Sequence, residues 1–148
     1  MTSTLPHDTA AGTLSTTELA GWNDDGYHVA RSLFSRAEVQ PIAERFNAIA
    51  ERGTRIEGHW EPNPDTSDIL GRYPRVMQPH DFDPASFELF LDPRVRAVLQ
   101  QLLGEDVVGC QTMFYFKPPG ARGQAFHQDN YYLRVQPTTC VAASPGWR

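Results

Sequence analysis

Lysine is almost missing from this chain. Of its 13 basic residues all but Lys117 are arginine, and no basic run occurs. With a net charge of -5, that argues against a nucleic-acid surface. Cysteine is as scarce, with only Cys110 and Cys140, which makes neither a metal-binding spacing nor a disulfide framework. Both lie in apolar runs, where a buried thiol is expected, and such thiols suit a reducing interior, the cytoplasm. No apolar run reaches the roughly 20 residues a membrane-spanning helix needs. No basic segment followed by an apolar stretch opens the chain, so no secretory leader is expected. Histidine is absent after His127. What remains, 40% hydrophobic and 21% charged residues over 148 positions, describes one folded domain able to bury a core.

Residues 1–14, rich in Thr, Ala and Ser, are expected to fray. Ser15-Thr16-Thr17-Glu18 reads as a capping box opening a helix that carries Leu19 and Trp22 inward. Tyr27 to Leu33 reads as a strand containing His28. Ser35-Arg36-Ala37-Glu38 is a second capping box, followed by an apolar stripe at Val39, Ile42, Phe46 and Ile49 that Gly53 stops. Pro41 removes a backbone donor there, so the helix either starts later or kinks. Arg55 to Asp83, broken by four prolines, reads as a long irregular excursion. Within it His59, Trp60 and His80 either line a pocket or stand in solvent.

Asp83-Pro84 and Asp92-Pro93 each give an N-cap with a first-turn proline. The second opens a helix with Val95, Val98, Leu99, Leu102 and Leu103 on one side, closed by Gly104. Val107 to Phe116 reads as the best strand, ended by Lys117-Pro118-Pro119-Gly120. A further strand is expected over Ala125 to Tyr132 and another over Thr138 to Ala143. Helices first and strands later point to an α+β fold or a helix-flanked barrel, not an alternating one.

On a strand, residues two apart share a face, so His127 and Asp129 would emerge together. An imidazole and a carboxylate suit a divalent first-row metal, and two histidines with one carboxylate make the facial triad of non-haem Fe(II) oxygenases. The plainer alternative is two polar residues facing solvent.

From Tyr115 to Asn130, through Lys117-Pro118-Pro119 and His127-Gln128-Asp129, the sequence resembles the phytanoyl-CoA dioxygenase family. Asp25-Gly26-Tyr27 and Arg72-Tyr73-Pro74-Arg75 extend the resemblance, which covers Gly26 to about Ala143. It implies N-terminal helices packed on a double-stranded β-helix of the jelly-roll or cupin-like kind. It also implies an Fe(II)- and 2-oxoglutarate-dependent dioxygenase that uses O2 to hydroxylate a small organic or acyl substrate. His127 and Asp129 then match two iron ligands, and Arg75, Gln111 and Met113 fall near positions lining the 2-oxoglutarate pocket.

The family pattern also needs a later histidine and a later basic residue for the cosubstrate's distal carboxylate. The only basic residues after Asp129 are Arg134 and Arg148, and neither has that spacing. Residues 15–143 therefore read as the front part of a dioxygenase domain, and 144–148 as an atypical tail on a truncated chain with an incomplete β-helix. Such a chain would be catalytically inert alone and would bind iron weakly. Its open strand edges would favour self-association. The alternatives are an inert fragment and a β-barrel module that binds a metal or small molecule without chemistry. No nucleic-acid or membrane partner is expected.

Overall fold

The computed structural model describes residues 12–145. These fall into two compact units. One contains the described parts of 1–35, 91–109 and 143–148, and the other 36–90 and 110–142.

In the first unit, helix α1 (Thr16–Asp25) forms as the capping box requires. The Ser15 hydroxyl accepts from the Glu18 backbone N–H at 3.2 Å, and the Glu18 carboxylate accepts from the Ser15 N–H at 2.8 Å. Gly26 ends the helix in the left-handed region at φ 73°, which a side chain rarely tolerates. The two Ser15 bonds, backbone first and hydroxyl second, hold the Glu18 carboxyl below its ordinary value of 4.5. A depressed folded-state value stabilises the helix above the ordinary carboxylate range, and that support is lost as pH falls through the folded value. Helicity at α1, followed by amide exchange, should therefore drop below pH 4.5 in the parent and stay flat in Glu18→Gln.

Leu19 and Trp22 are only half-buried. Helix α5 (Pro93–Leu103) is capped by Asp92, whose side chain accepts from the Arg94 N–H at 2.8 Å, and is stopped by left-handed Gly104. Val98 is its buried residue. Arg94 also donates to the Leu33 carbonyl at 3.0 Å and lies over the Phe34 ring at 4.4 Å. Leu14 donates to Gln101 at 2.7 Å, so this end of the stretch expected to fray is tied down. The expectation for residues 1–11 lies outside the described residues. The strand expected over Tyr27 to Leu33 does not form. Its residues lead into a turn around Ser32 at φ 57°, because no neighbouring strand among the described residues takes up their backbone groups.

The second unit is built on helix α2 (Arg36–Arg52), which begins where the second capping box places it and carries Pro41 inside. Its buried residues are Val39, Ile42 and Phe46, the stripe read from the periodicity. Phe46, Ile42, Trp60, Val76 and Phe116 form the core, with Phe82, Leu89 and Phe114 packed against it. The reading of 55–83 as a long excursion with little regular structure holds, but Trp60 within it belongs to the core and does not stand in solvent. Ile56 and Trp60 exchange backbone hydrogen bonds at 2.8 and 2.7 Å across a tight turn. Trp60 is 1% exposed and donates its indole N–H to the Pro74 carbonyl at 3.0 Å. Beyond it come α3 (Ile69–Arg72), β1 (Val76–Met77), a 3-10 turn over Pro79–Asp81 and α4 (Pro84–Phe90). The prolines shape the path without keeping it out of the core.

β1 pairs antiparallel with β2 (Met113–Phe114), with Val76 opposite Phe114 and Met77 opposite Met113. This is the one sheet among the described residues. The long strand expected over Val107 to Phe116 is thus reduced to a single ladder step, and residues 138–143 form no strand. The α+β character holds, whereas a double-stranded β-helix is not formed by these residues. β-propensity alone cannot make a strand where no edge supplies partners. Cys110 is exposed and Cys140 half-buried, against the buried thiols expected from their apolar neighbours. No helix among the described residues is long and apolar enough to cross a membrane.

Candidate metal centre

Alternation along the β1–β2 pair sorts its side chains into two faces. Val76, Phe114 and Phe116 point to the Phe46 core. Arg75, Met77, Met113 and Tyr115 share the other face. Arg75 donates its Nε–H to the Met77 sulfur at 3.2 Å, and the Tyr115 hydroxyl contacts the Met113 sulfur at 3.4 Å. Of the residues read as lining a cosubstrate pocket, Arg75 and Met113 lie on this face and Gln111 precedes the strand; Arg75 is exposed, and Gln111 and Met113 are half-buried. Among the described residues, no hydrogen bond or ion pair joins any of them to His127 or Asp129.

The His-Gln-Asp segment is not a strand. Residues 121–128 run without regular structure, and Asp129 opens a short helix, α6 (Asp129–Leu133). An acidic side chain in a first helical turn is favourable beside the free N–H groups there, and that signal was present at Asp129-Asn130. The correction does not separate the pair. His127 Nε2 lies 3.1 Å from Asp129 Oδ1, brought there by the loop-to-helix junction instead of by strand alternation.

The other ring nitrogen fixes the tautomer. His127 Nδ1 lies 2.7 Å from the Ala125 carbonyl oxygen. A carbonyl can only accept, so Nδ1 carries the hydrogen. In the neutral ring Nε2 then presents a lone pair towards a carboxylate oxygen. Two acceptors at that distance repel unless a proton or a cation stands between them. Metal-binding histidines are commonly oriented in this way, with the second ring N–H held by a backbone carbonyl. A separation of 3.1 Å also matches neighbouring donors around a six-coordinate ion with bonds of about 2.1 Å, roughly 3.0 Å apart. The donor pair fits a divalent cation.

The surroundings are aromatic and open. His127 and Asp129 keep 27% and 37% of their side-chain surface exposed. The Tyr132 ring meets the imidazole edge-on at 5.9 Å, and Tyr131 meets Tyr132 at 5.1 Å. The Cys140 thiol is pushed up, first by burial and then by the charge of Asp129 and by Cys110. Sequence reasoning missed Gln124, whose amide nitrogen lies 3.4 Å from His127 Nε2. Its placement depends on a loop conformation that residue types do not encode.

His59 and His80 are engaged, not solvated. His59 Nδ1 contacts the Met77 carbonyl at 2.8 Å and its ring packs edge-on against Phe82. His80 Nδ1 contacts the Thr112 hydroxyl at 2.7 Å and its ring faces Phe90 at 4.6 Å. A cavity of about 340 Å³ opens beside His80, lined also by Asp81, Asp83, Phe87 and Glu88. Among the described residues no group of three or more His, Cys, Asp or Glu side chains is placed to hold a metal ion.

Comparison with curated proteins and with solved structures gives no match. The family model described as Phytanoyl-CoA dioxygenase (PhyH) matches residues 22–145. That match spans both units, the Arg75 loop, the Lys117 turn and the His127–Asp129 pair. The chain belongs to the phytanoyl-CoA dioxygenase family.

Proposed function

We propose that this chain carries part of an Fe(II)- and 2-oxoglutarate-dependent oxygenase centre, with His127 Nε2 and the Asp129 carboxylate as two of its protein ligands. The observation that carries the reading is the orientation of His127. Its Nδ1–H is committed to the Ala125 carbonyl, and its Nε2 faces Asp129 Oδ1 at 3.1 Å. Iron bound there with 2-oxoglutarate and O2 would supply the oxidising power to hydroxylate a C–H bond of a small organic or acyl substrate. The protein's own share is to orient the imidazole, keep the carboxylate beside it and line the approach with the Tyr131 and Tyr132 rings. Arg75, with Met113 on the same face and Gln111 just before β2, is the proposed cosubstrate-facing group. Its fixed positive charge suits a carboxylate.

Two protein donors hold a divalent ion weakly and with little selectivity, since affinity grows with ligand number and with outer support. The second reading, a binding module without turnover, rests on the same His127–Asp129 pair. Both readings predict Fe(II) binding under anaerobic conditions that falls at least ten-fold in His127→Ala and in Asp129→Ala, the lower end of the loss seen when only an outer support is removed. Equal binding in all three proteins would refute the assignment. The 148-residue chain incubated with Fe(II), 2-oxoglutarate and O2 should form no succinate above a His127→Ala control. Succinate formation that depends on His127 would overturn the two-ligand account and leave the family chemistry standing.

A further inference from the structure

We infer that Gln124 is a positioning residue that guards the metal-facing nitrogen of His127. This rests on the reading of His127 and Asp129 as metal ligands. Because the Ala125 carbonyl takes the Nδ1 hydrogen, the neutral ring has one lone pair left, on Nε2. Two groups stand against it, the Asp129 oxygen at 3.1 Å and the Gln124 amide nitrogen at 3.4 Å. The carboxylate can only accept, whereas the amide nitrogen can donate. Gln124 is thus the neighbour able to satisfy the lone pair when no cation is bound. A metal needs the same lone pair, so its entry requires the carboxamide to withdraw.

The withdrawal is sterically easy. Gln124 is exposed, and its neighbours Gly123 and Ala125 are small and exposed as well. Its side chain reaches Nε2 from three residues back along an irregular loop, so rotation about its own bonds suffices. Because the side chain is exposed, substitution there is expected to leave the fold intact. The contact is long for a hydrogen bond, which sets its strength at the low end of the usual range. Removing it should raise metal affinity about two- to five-fold. Loss of the guard should leave Nε2 exposed to water in the metal-free protein.

The test compares the parent with Gln124→Ala by two readouts. Long-range ¹H–¹⁵N spectra of the metal-free proteins report the His127 ring. The parent should show the Nδ1–H tautomer, and the Nε2 signal should move in Gln124→Ala. Calorimetry with Co(II) should then show tighter binding to Gln124→Ala than to the parent. An unmoved Nε2 signal would remove the contact, and unchanged or weaker Co(II) binding would remove the guarding role. Co(II) binding that persists at parental strength in His127→Ala would instead sink the metal-ligand reading, and the guard with it. The tautomer spectra still report the Gln124 contact in that case, so the two failures are distinguishable.

Discussion

Replacing Phe46 by alanine is expected to cost about 3–5 kcal/mol, the range for truncating a buried phenylalanine. Phe46 is fully buried, and its ring lies 4.6 Å from that of Phe114 and meets Phe82 edge-on at 6.4 Å. It therefore joins α2 to β2 and to the segment preceding α4. Its neighbours are aromatic rings held by elements on several sides, so the site cannot collapse to fill the void. With urea slopes of about 1–3 kcal/mol per molar for a small protein, the midpoint should fall by more than about 1 M. Phe46→Leu, which keeps most of the volume, should lose less than half as much. A Phe46→Ala midpoint within about 0.3 M of the parent would contradict the core assignment.

Asp83→Ala should be the next most damaging change, at about 2–3 kcal/mol. The carboxylate is 3% exposed. It accepts from the Ser86 N–H at 2.9 Å, from the Ser86 hydroxyl at 2.7 Å and from Arg45 Nη1. It thus caps α4 and anchors that helix to α2. Its removal strands buried donors at the start of α4. The Arg45 side chain is half exposed, so its charge returns partly to water and the ion-pair share of the loss is discounted accordingly. Asp83→Asn retains an acceptor for Ser86 and should cost about 1 kcal/mol. Equal losses in the two variants, read by urea denaturation, would show that the charge outweighs the cap.

Both variants act on parts of the fold that were legible in the sequence. The Asp83 cap, the Ser15–Glu18 box and the Asp92–Gly104 limits of α5 depend on hydrogen bonds between residues two to four apart, and residue type alone announces them. The Phe46 stripe was visible for the same reason, since helical periodicity is local. Trp60 was not. It is buried because a turn at 56–60 folds it under Pro74 and Phe116, and that placement depends on residues far along the chain. The strands failed for a related reason. Val107 to Phe116 has strand composition throughout, but a ladder needs a facing edge, and β1 supplies one only at Met113 and Phe114.

At the candidate site the two residues come together by a different route. Strand alternation paired His127 with Asp129, whereas in the structure a loop and the first residue of α6 bring them into contact. A separation of two positions serves either geometry. The residues between and around them, Gln124 and the Ala125 carbonyl, decide which nitrogen faces the carboxylate. Those contacts arise from loop conformation and leave no mark in composition or spacing.

His127 and Asp129 are proposed as the place on this chain where a divalent cation binds. Mn(II) titrated into the full chain broadens NMR signals of nuclei close to it. The account predicts that the His127 ring and the Asp129 and Asn130 amides broaden at the lowest Mn(II) additions, and that Asp129→Ala abolishes this. Broadening that begins instead at His80, Asp81 and Glu88, around the acidic cavity, with His127 untouched, would contradict it.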